Sequence, residues 1–328
     1  MKILFVFLGG TIGSTLNGEY ISPDSKKSRV LLDAYSKKYG IDFEYDIFEP
    51  YSSLSENNTG EELRAILLGL RSLGDYDGII VAHGTDTLQY TAAALGYYFG
   101  NNTPPICLIS SNYPIEDSRA NGLYNMYGAI TLIKSKKAKG VLVSYRNGNE
   151  NIIRIHRANR LLAHDAFSDS LRSVKEQEYG YVELFGDFHR NFDFCEKDDA
   201  ILPPDVDKLT ASSSKILRIS SYVGMNYPNI SSDIEYVLID SYHSGTINTK
   251  DPLAKAFFAD ACARGIKVFM SGACDGAQYL STSSFDELSV IPIFGVAPIS
   301  LYIKIWFYSC SLEVDENLLM QSRGGDIC

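Results

Sequence analysis

Two short segments carry the residue types from which a catalytic or binding site could be built. Residues 9–13 read GGTIG and residues 83–87 read HGTDT. The glycines of the first segment permit a tight turn and a close approach of the backbone to a ligand, and they present the hydroxyl of Thr11 there. The second segment puts the hydroxyl of Thr85 beside the carboxylate of Asp86. If a helix begins at this point, its unpaired backbone amides favour negative charge that develops on a bound ligand.

Each segment also has a purely structural explanation. Residues 9–13 could form a glycine turn that only leads into a loop. A phosphate-binding loop is disfavoured because the spacing GxGxxG is missing. In the second segment, Asp86 or Thr87 could simply cap the following helix. A cap accounts for one residue and leaves the run of polar residues unexplained, so we favour the functional interpretation.

Short apolar runs alternate with helical patterns in the first two-thirds of the chain, which is typical of a parallel sheet covered by helices. Thr59 and Glu62 form a capping-box pattern at the start of one helix, and further helices are predicted to begin near Thr87 and near Asp117. The predicted strands cover residues 3–7, 78–82, 106–110 and 141–145. In such sheets, ligands bind at the loops that leave the carboxyl ends of the strands, which is where both segments lie.

The pattern changes around residues 190–213, a polar stretch that contains Pro203 and Pro204. Beyond it, smaller patterns predict strands over residues 216–219, 236–239 and 268–270 and helices over 252–263 and 299–308. We therefore predict an α/β fold with a larger N-terminal domain, built on a mostly parallel sheet flanked by helices, and a smaller C-terminal α/β domain. The predicted limits are 1–190 for the first domain, 191–213 for a linker and 214–328 for the second domain.

Composition excludes several classes of protein. The formal net charge is -10, which opposes a nucleic-acid surface. The six cysteines include no CxxC pair and the five histidines are dispersed, so we expect reduced thiols and no metal site. The apolar run over residues 3–8 is too short for a signal sequence or a membrane span. We predict a cytoplasmic protein with no nucleic-acid or membrane partner, and residues 321–328 are expected to form a frayed tail.

Together, the two segments closely resemble the signature motifs of the bacterial-type L-asparaginase family. Other stretches are similar to further parts of that family: a substrate-gripping loop that begins at Ser55, a flexible lid that carries Tyr20, and the segment after the third strand that contains Asn112. The resemblance covers most of the chain, to about Trp306. It implies the cytoplasmic, type I-like branch, hydrolysis of the side-chain amide of a small amino acid, and a homodimer or homotetramer that needs no metal or organic cofactor.

The resemblance also implies a role for each matching residue. Thr11 is implied to be the nucleophile that attacks the amide carbon, and Tyr20 on the lid to orient and activate it. Thr85 and Asp86 are implied to form the second catalytic set. The implied substrate-binding residues are Ser55, Glu56, Asp86, Asn112, Gly10 and Gly84. Electrostatics agrees with this assignment, because an α-amino acid needs an anionic partner for its ammonium group and hydrogen-bond donors for its carboxylate.

One departure from the family pattern concerns the lysine of the usual Thr-Lys-Asp set. No lysine occurs between residues 140 and 174. Arg157 is the preferred occupant of the lysine position and Arg160 the next, with structural ion pairs as the alternative for both. Arginine stays protonated and cannot act as a neutral base toward Thr85, so it could serve only as a fixed positive charge. Among the histidines, His83 is expected to be a hydrogen-bonded neighbour of the site, and His164 shows no partner pattern.

The implied reaction converts L-asparagine and water into L-aspartate and ammonia through an acyl-enzyme on Thr11. Four alternatives remain at this stage. The same site could act on glutamine, since one methylene changes binding by only about 1–3 kcal/mol. The chain could be the ammonia-supplying subunit of a tRNA-dependent amidotransferase, which is expected to carry an additional N-terminal domain. It could also be a catalytically silent amino-acid-binding protein, or a nucleotide-binding module, which the missing phosphate motif disfavours.

Overall fold

Two mainly parallel sheets organise the part of the chain that the computed structural model describes, residues 1–9, 14–17, 20–23, 28–72, 74–165, 167–273 and 279–328. For residues 14–17, 20–23, 28 and 29 only the backbone is described. The strands are β1 (Lys2–Phe7), β2 (Ser14–Asn17), β3 (Tyr20–Pro23), β4 (Glu44–Phe48), β5 (Gly78–Ala82), β6 (Ile106–Ile109), β7 (Val141–Tyr145), β8 (Ile152–Arg157), β9 (Gly180–Glu183), β10 (Phe188–Arg190), β11 (Ile216–Ser220), β12 (Tyr236–Asp240), β13 (Lys267–Ala273) and β14 (Val290–Phe294). The helices are α1 (Ser28–Tyr39), α2 (Gly60–Arg71), α3 (Leu88–Phe99), α4 (Gly122–Ser135), α5 (Pro252–Ala263), α6 (Pro298–Ser309) and α7 (Glu316–Leu319).

The larger sheet has the strand order β10-β9-β8-β7-β6-β5-β1-β4. The strands from β4 to β7 in this order are parallel to one another. From β7 outward the pairing becomes antiparallel, through β8 and β9 to β10. The carboxyl ends of β1, β5, β6 and β7 therefore share one edge of the sheet, and the chain after each of these strands starts at that edge.

Helices cover both faces of this sheet. On one face, α2 and α3 contribute apolar side chains such as Leu67 and Leu95 to a core that also includes α6. On the other face, α1 and α4 pack through residues such as Leu31 and Met126. Because the central strands are covered on both sides, they are almost continuously apolar, as expected for a parallel sheet.

The smaller sheet has the order β11-β12-β13-β14 and is parallel throughout. Its core includes α5, through residues such as Phe258. Helix α6 contacts α3 of the first unit and also β11 and β13 of the second, and almost all of its residues are buried. A helix that is apolar around most of its circumference fits this position between two packed surfaces.

The observed architecture confirms the predicted fold class, a larger unit with a mainly parallel sheet flanked by helices and a smaller α/β unit. The capping box at α2 is also confirmed, because Glu62 Oε2 accepts from the backbone N–H of Thr59 at 2.7 Å. Helix α4 begins at Gly122, five residues later than the start predicted near Asp117. The carboxylate of Asp117 instead forms an ion pair with Arg119 at 2.7 Å within a turn.

The frayed tail predicted for residues 321–328 is wrong. Lys304 of α6 and Asp326 form an ion pair of 2.7 Å whose side chains are both 0% exposed. The Asp326 carboxylate also accepts a hydrogen bond from the Tyr97 hydroxyl of α3 at 3.1 Å. The guanidinium of Arg323 donates to the carbonyl oxygens of Tyr97 and Tyr98 at 2.9 and 2.8 Å. The end of the chain is therefore docked between α3 and α6.

None of the helices within the described residues is both long enough and apolar enough to cross a membrane.

Candidate active site

The residues that follow β1, β4 and β5 meet at the carboxyl edge of the larger sheet. Gly9 forms a parallel bridge with Ser53, and the backbone N–H of Leu8 donates to the carbonyl of Ala82 at 3.2 Å. Gly9 has a φ of 94°, and a Cβ at this position would lie 2.4 Å from the Ser53 carbonyl oxygen. Only glycine therefore allows this close approach. Gly10 and Thr11 lie outside the described residues, as does the side chain of Tyr20, whose backbone belongs to β3.

A hydrogen bond joins the predicted substrate-gripping loop to the second motif. The loop contains a single 3-10 turn over Ser55–Asn57, in which Ser55 is buried and Glu56 is exposed. The hydroxyl of Thr87 donates to the Ser55 carbonyl at 2.8 Å. Thr87 occupies the N-cap position of α3 but makes no side-chain capping bond there. Its hydroxyl fixes the neighbouring loop instead, so the interpretation of Thr87 as a simple side-chain cap does not hold.

An open cavity of about 690 Å³ lies beside Thr85 and Asp86. Three segments after sheet strands form most of its wall, and α6 of the second unit contributes Ile299. The lining residues are Thr85, Asp86, Gln89, Tyr90, Asn112, Tyr113, Ala163, His164, Asp165, Phe167, Ser168, Asp169 and Ile299. The structure thus brings together the predicted site residues Thr85, Asp86 and Asn112.

His83 is held by hydrogen bonds at both ring nitrogens, as the sequence led us to expect. Nδ1 lies 2.8 Å from the carbonyl oxygen of Gly84, and Nε2 lies 2.8 Å from the hydroxyl of Thr91. Because a carbonyl can only accept, Nδ1 carries the proton and Nε2 accepts from Thr91. Burial lowers the pKa of His83 to about 4, so the ring is neutral at pH 7. His83 braces the turn at Gly84 and has no free nitrogen with which to act as a base.

Asn112 and Tyr145 hold a carboxylate that the sequence did not single out. The Asn112 side-chain amide donates to Asp169 Oδ2 at 2.5 Å, and the Tyr145 hydroxyl donates to Asp169 Oδ1. The side-chain oxygen of Asn112 accepts from the backbone N–H of Asn121 at 3.1 Å. The amide of Asn112 is therefore engaged on both sides and orients Asp169 at the cavity wall.

His164 also lines the cavity, although no partner pattern was visible in the sequence. Its Nδ1 lies 3.0 Å from Nε2 of the Gln89 side chain, and its ring packs edge-on against Tyr145 with centroids 5.4 Å apart. Its Nε2 is buried and makes no hydrogen bond of normal length within the described part of the chain. The one sequence signal was its place directly before residues 165–167, a stretch that resembles a family marker.

The structure does not bring Arg157 to the cavity beside Thr85. Strand β8 runs antiparallel to β7, so Arg157 pairs with Leu142, near the start of β7 and away from the carboxyl edge. Its guanidinium, only 1% exposed, binds both carboxylate oxygens of Glu196 at 2.8 Å. Arg160 is likewise structural, because it donates to the carbonyl oxygens of Gly325 and Ile327 at 2.8 and 2.9 Å. Both arginines stabilise the fold at a distance from Thr85.

The variant Arg157→Lys distinguishes a catalytic role of residue 157 from a structural role in the ion pair with Glu196. Lysine keeps the positive charge but loses the planar fork that binds Glu196 at two points, so we expect the free energy of unfolding to fall by about 1–3 kcal/mol. The kcat of the folded variant should equal that of the wild type. Denaturant unfolding and steady-state assays below the unfolding transition measure both quantities. A rise in kcat would show instead that a lysine at residue 157 reaches the catalytic groups.

Comparison with known proteins decides the family. The sequence profile of the N-terminal asparaginase domain matches residues 2–191. The chain belongs to the asparaginase family. Its relatives include a glutamyl-tRNA(Gln) amidotransferase subunit from Pyrococcus abyssi, which is 23% identical over 77% of this chain and 59% of the relative. L-asparaginase 1 of Escherichia coli K12 is 27% identical over 48% of this chain and 46% of the relative. In each case, the aligned part spans less than two-thirds of the relative's length.

Solved structures show the same fold. The thermostable L-asparaginase from Thermococcus kodakarensis matches with a TM-score of 0.78 and 19% identity, over 100% of this chain and 99% of that chain. A probable cytoplasmic L-asparaginase from Campylobacter jejuni matches with a TM-score of 0.73 and 20% identity, over 98% and 99% of the two chains. At 19% and 20% identity, this similarity shows that this chain has the same fold as these two proteins.

Proposed function

We propose that this asparaginase-family chain is an amidohydrolase that converts L-asparagine and water into L-aspartate and ammonia. The observation that carries the proposal is the cavity at the carboxyl edge of the larger sheet, where Thr85 and Asp86, just before α3, lie with Asn112, which follows β6. The hydrogen bond from Thr87 to the Ser55 carbonyl ties the substrate-gripping loop to the same edge. These are the positions in which an α/β sheet binds its ligands.

In this proposal, Thr11 attacks the side-chain amide carbon and forms an acyl-enzyme, with Tyr20 orienting its hydroxyl. Thr85 and Asp86 then serve the hydrolysis of that acyl-enzyme. The α-ammonium group of the substrate faces the carboxylates of Asp86 and Glu56, which are both exposed to solvent. Ser55 supplies a donor for the α-carboxylate. The free amides at the start of α3 favour the negative charge that develops on the attacked carbonyl oxygen.

Glutamine is the main alternative substrate, and the names of several relatives support this alternative. Several of them are amidotransferase subunits named for glutamyl-tRNA(Gln), among them those of Pyrococcus abyssi and Thermococcus kodakarensis. A second candidate function is therefore the release of ammonia from an amide donor for use by such an amidotransferase. One methylene is worth only about 1–3 kcal/mol of discrimination, so the ratio of kcat/KM for asparagine and glutamine must be measured.

The remaining features of the proposal follow the family resemblance. The reaction requires a hydroxyl nucleophile and donors for an oxyanion, so we propose that it proceeds without a metal or organic cofactor. We also propose a cytoplasmic location, a homodimer or homotetramer, and the domain limits 1–190 and 214–328 with a linker over 191–213.

Ammonia release by the purified protein tests the proposed function directly. We expect turnover of L-asparagine that is abolished in Thr11→Ala and retained in Thr282→Ala, a matched control whose hydroxyl donates to the Tyr279 carbonyl at 2.7 Å in the smaller unit. Faster turnover of glutamine would favour the amidotransferase-type function. Thermal stabilisation by asparagine without ammonia release would refute the proposed enzymatic activity and would favour an amino-acid-binding function.

A further inference from the structure

The cavity contains a candidate proton carrier at His164. Among the described residues that line the cavity, His164 is the one side chain able to become a cation, whereas Asp86, Asp165 and Asp169 are carboxylates. The sequence has no lysine between residues 140 and 174, and Arg157 lies near the start of β7. His164 is therefore the candidate for any role that requires a basic group beside Thr85.

The His164 ring has one nitrogen, Nε2, without a hydrogen bond of normal length to the described residues, and the backbone of Thr85 lies close to the ring. Nδ1 faces the Gln89 side chain at 3.0 Å, and Tyr145 packs against the ring. Nε2 is buried and makes no hydrogen bond of normal length to any residue that the structure describes. Buried polar atoms without partners are rare and costly, and the His164 side chain lines a cavity large enough for a small ligand.

Gln89 can select the tautomer that a base requires. The side chain is 2% exposed and offers both an amide nitrogen and an oxygen. With the amide oxygen turned toward the ring, Nδ1 carries the proton and donates to Gln89, and the lone pair of the ring lies on Nε2. With the amide nitrogen turned toward the ring, Nδ1 accepts and Nε2 carries the proton. The two orientations differ only by a rotation about the last side-chain bond of Gln89.

The charge of His164 is set by groups on several elements. Burial lowers the pKa of the ring below 6.5, while Asp169, the backbone of Thr85, Asp86 and Asp165 act in the opposite direction. Tyr145 on β7 and His156 on β8 are the other titratable neighbours. Because burial prevails, His164 is neutral at pH 7 and able to accept a proton.

We propose that His164 accepts the proton of the Thr85 hydroxyl during turnover and so takes the place of the basic residue in the usual Thr-Lys-Asp set. The inference rests on the proposed amide hydrolysis. As the Thr85 proton moves to Nε2, the Thr85 oxygen takes a proton from water, and the water oxygen bonds to the acyl carbon. The bond from that carbon to the enzyme's oxygen then breaks, and the imidazolium returns its proton through Thr85 to that leaving oxygen.

His164→Gln and His164→Ala test the proposal, with ammonia release as the assay. We expect kcat to fall by about 10²-fold in both variants, the lower range for loss of a general base. In the wild type, the acid limb of kcat should reflect protonation of His164 during hydrolysis of the acyl-enzyme and lie below pH 6.5. That limb should be absent from the residual activity of His164→Gln. Added imidazole should restore turnover to His164→Ala and leave Thr85→Ala unchanged.

The matched control is His189→Gln, which changes an exposed histidine that stacks on Tyr181 and should keep both kcat and the acid limb. Thermal unfolding of each variant identifies any that fails to fold, and His164→Gln is the substitution closest in size. A kcat within about threefold of the wild type, or a slowed variant that retains the wild-type acid limb, would overturn the proposal. A wild-type protein that releases no ammonia would instead refute the proposed function, and this inference with it.

Discussion

Asp326→Ala is expected to lower the free energy of unfolding by about 3–5 kcal/mol, because it leaves a buried ammonium group without its anion. Lys304 and Asp326 are both 0% exposed and lie 2.7 Å apart. Among the described residues, the Lys304 ammonium would keep as hydrogen-bond acceptors the carbonyl oxygens of Leu319 and Gln321, at 2.9 and 2.6 Å. The Tyr97 hydroxyl would lose its acceptor as well. Urea unfolding followed by fluorescence measures the loss, since the single tryptophan, Trp306, lies on α6 near Lys304.

Two further variants separate the buried charge from other effects of the substitution. Glu313→Ala removes the carboxylate of an ion pair with Lys267 that has the same 2.7 Å length, but in which Glu313 is 81% exposed. This exposed pair should contribute little to the free energy of unfolding. The double variant Lys304→Met with Asp326→Leu should recover much of the lost stability, because apolar side chains can replace a buried pair at little cost. A loss in Asp326→Ala no larger than that in Glu313→Ala would contradict a docked chain end.

The parts of the fold that were predicted correctly are those in which burial leaves a pattern in the sequence. Strands β1, β5, β6 and β7 are apolar runs because helices cover both faces of the sheet. Strand β4 lies at the sheet edge with mostly exposed residues, so no such run marks it. Residues 321–328 were expected to fray because chain termini commonly do, and their burial depends on Lys304 and Tyr97, which are remote in the sequence.

The site was predictable where its residues adjoin one another in the chain. Thr85 and Asp86 form a recognisable motif, and the structure places both at the cavity. Arg157 lies away from the cavity because β8 is antiparallel, which the sequence does not reveal, and this reversal carries the side chain toward the opposite edge. His164 and Asp169 lie on an irregular loop, and their contacts with Gln89 and Asn112 join residues that are 75 and 57 positions apart. No local pattern encodes such pairs.

Thr85→Ala is expected to lower the kcat of ammonia release by about 10⁴-fold. The KM for asparagine should fall as well, because the acyl-enzyme accumulates when its hydrolysis is slow. In the proposed mechanism, the Thr85 hydroxyl passes a proton between water and His164, and alanine removes that path. The substitution deletes few atoms from a half-buried side chain at the cavity wall, so the fold should persist. Thr85→Ser restores the hydroxyl and should recover most of the activity. Steady-state kinetics with a coupled ammonia assay gives kcat and KM separately.

Thr87→Val is the matched control, because it changes a neighbouring threonine whose hydroxyl has a different partner. Loss of its 2.8 Å bond to the Ser55 carbonyl should loosen the substrate-gripping loop. One such hydrogen bond is worth about 1 kcal/mol, so KM should rise about fivefold with little change in kcat. A similar fall of kcat in both variants would mean that the start of α3 acts only as a scaffold. A fall confined to Thr85→Ala assigns the proton transfer to Thr85 itself.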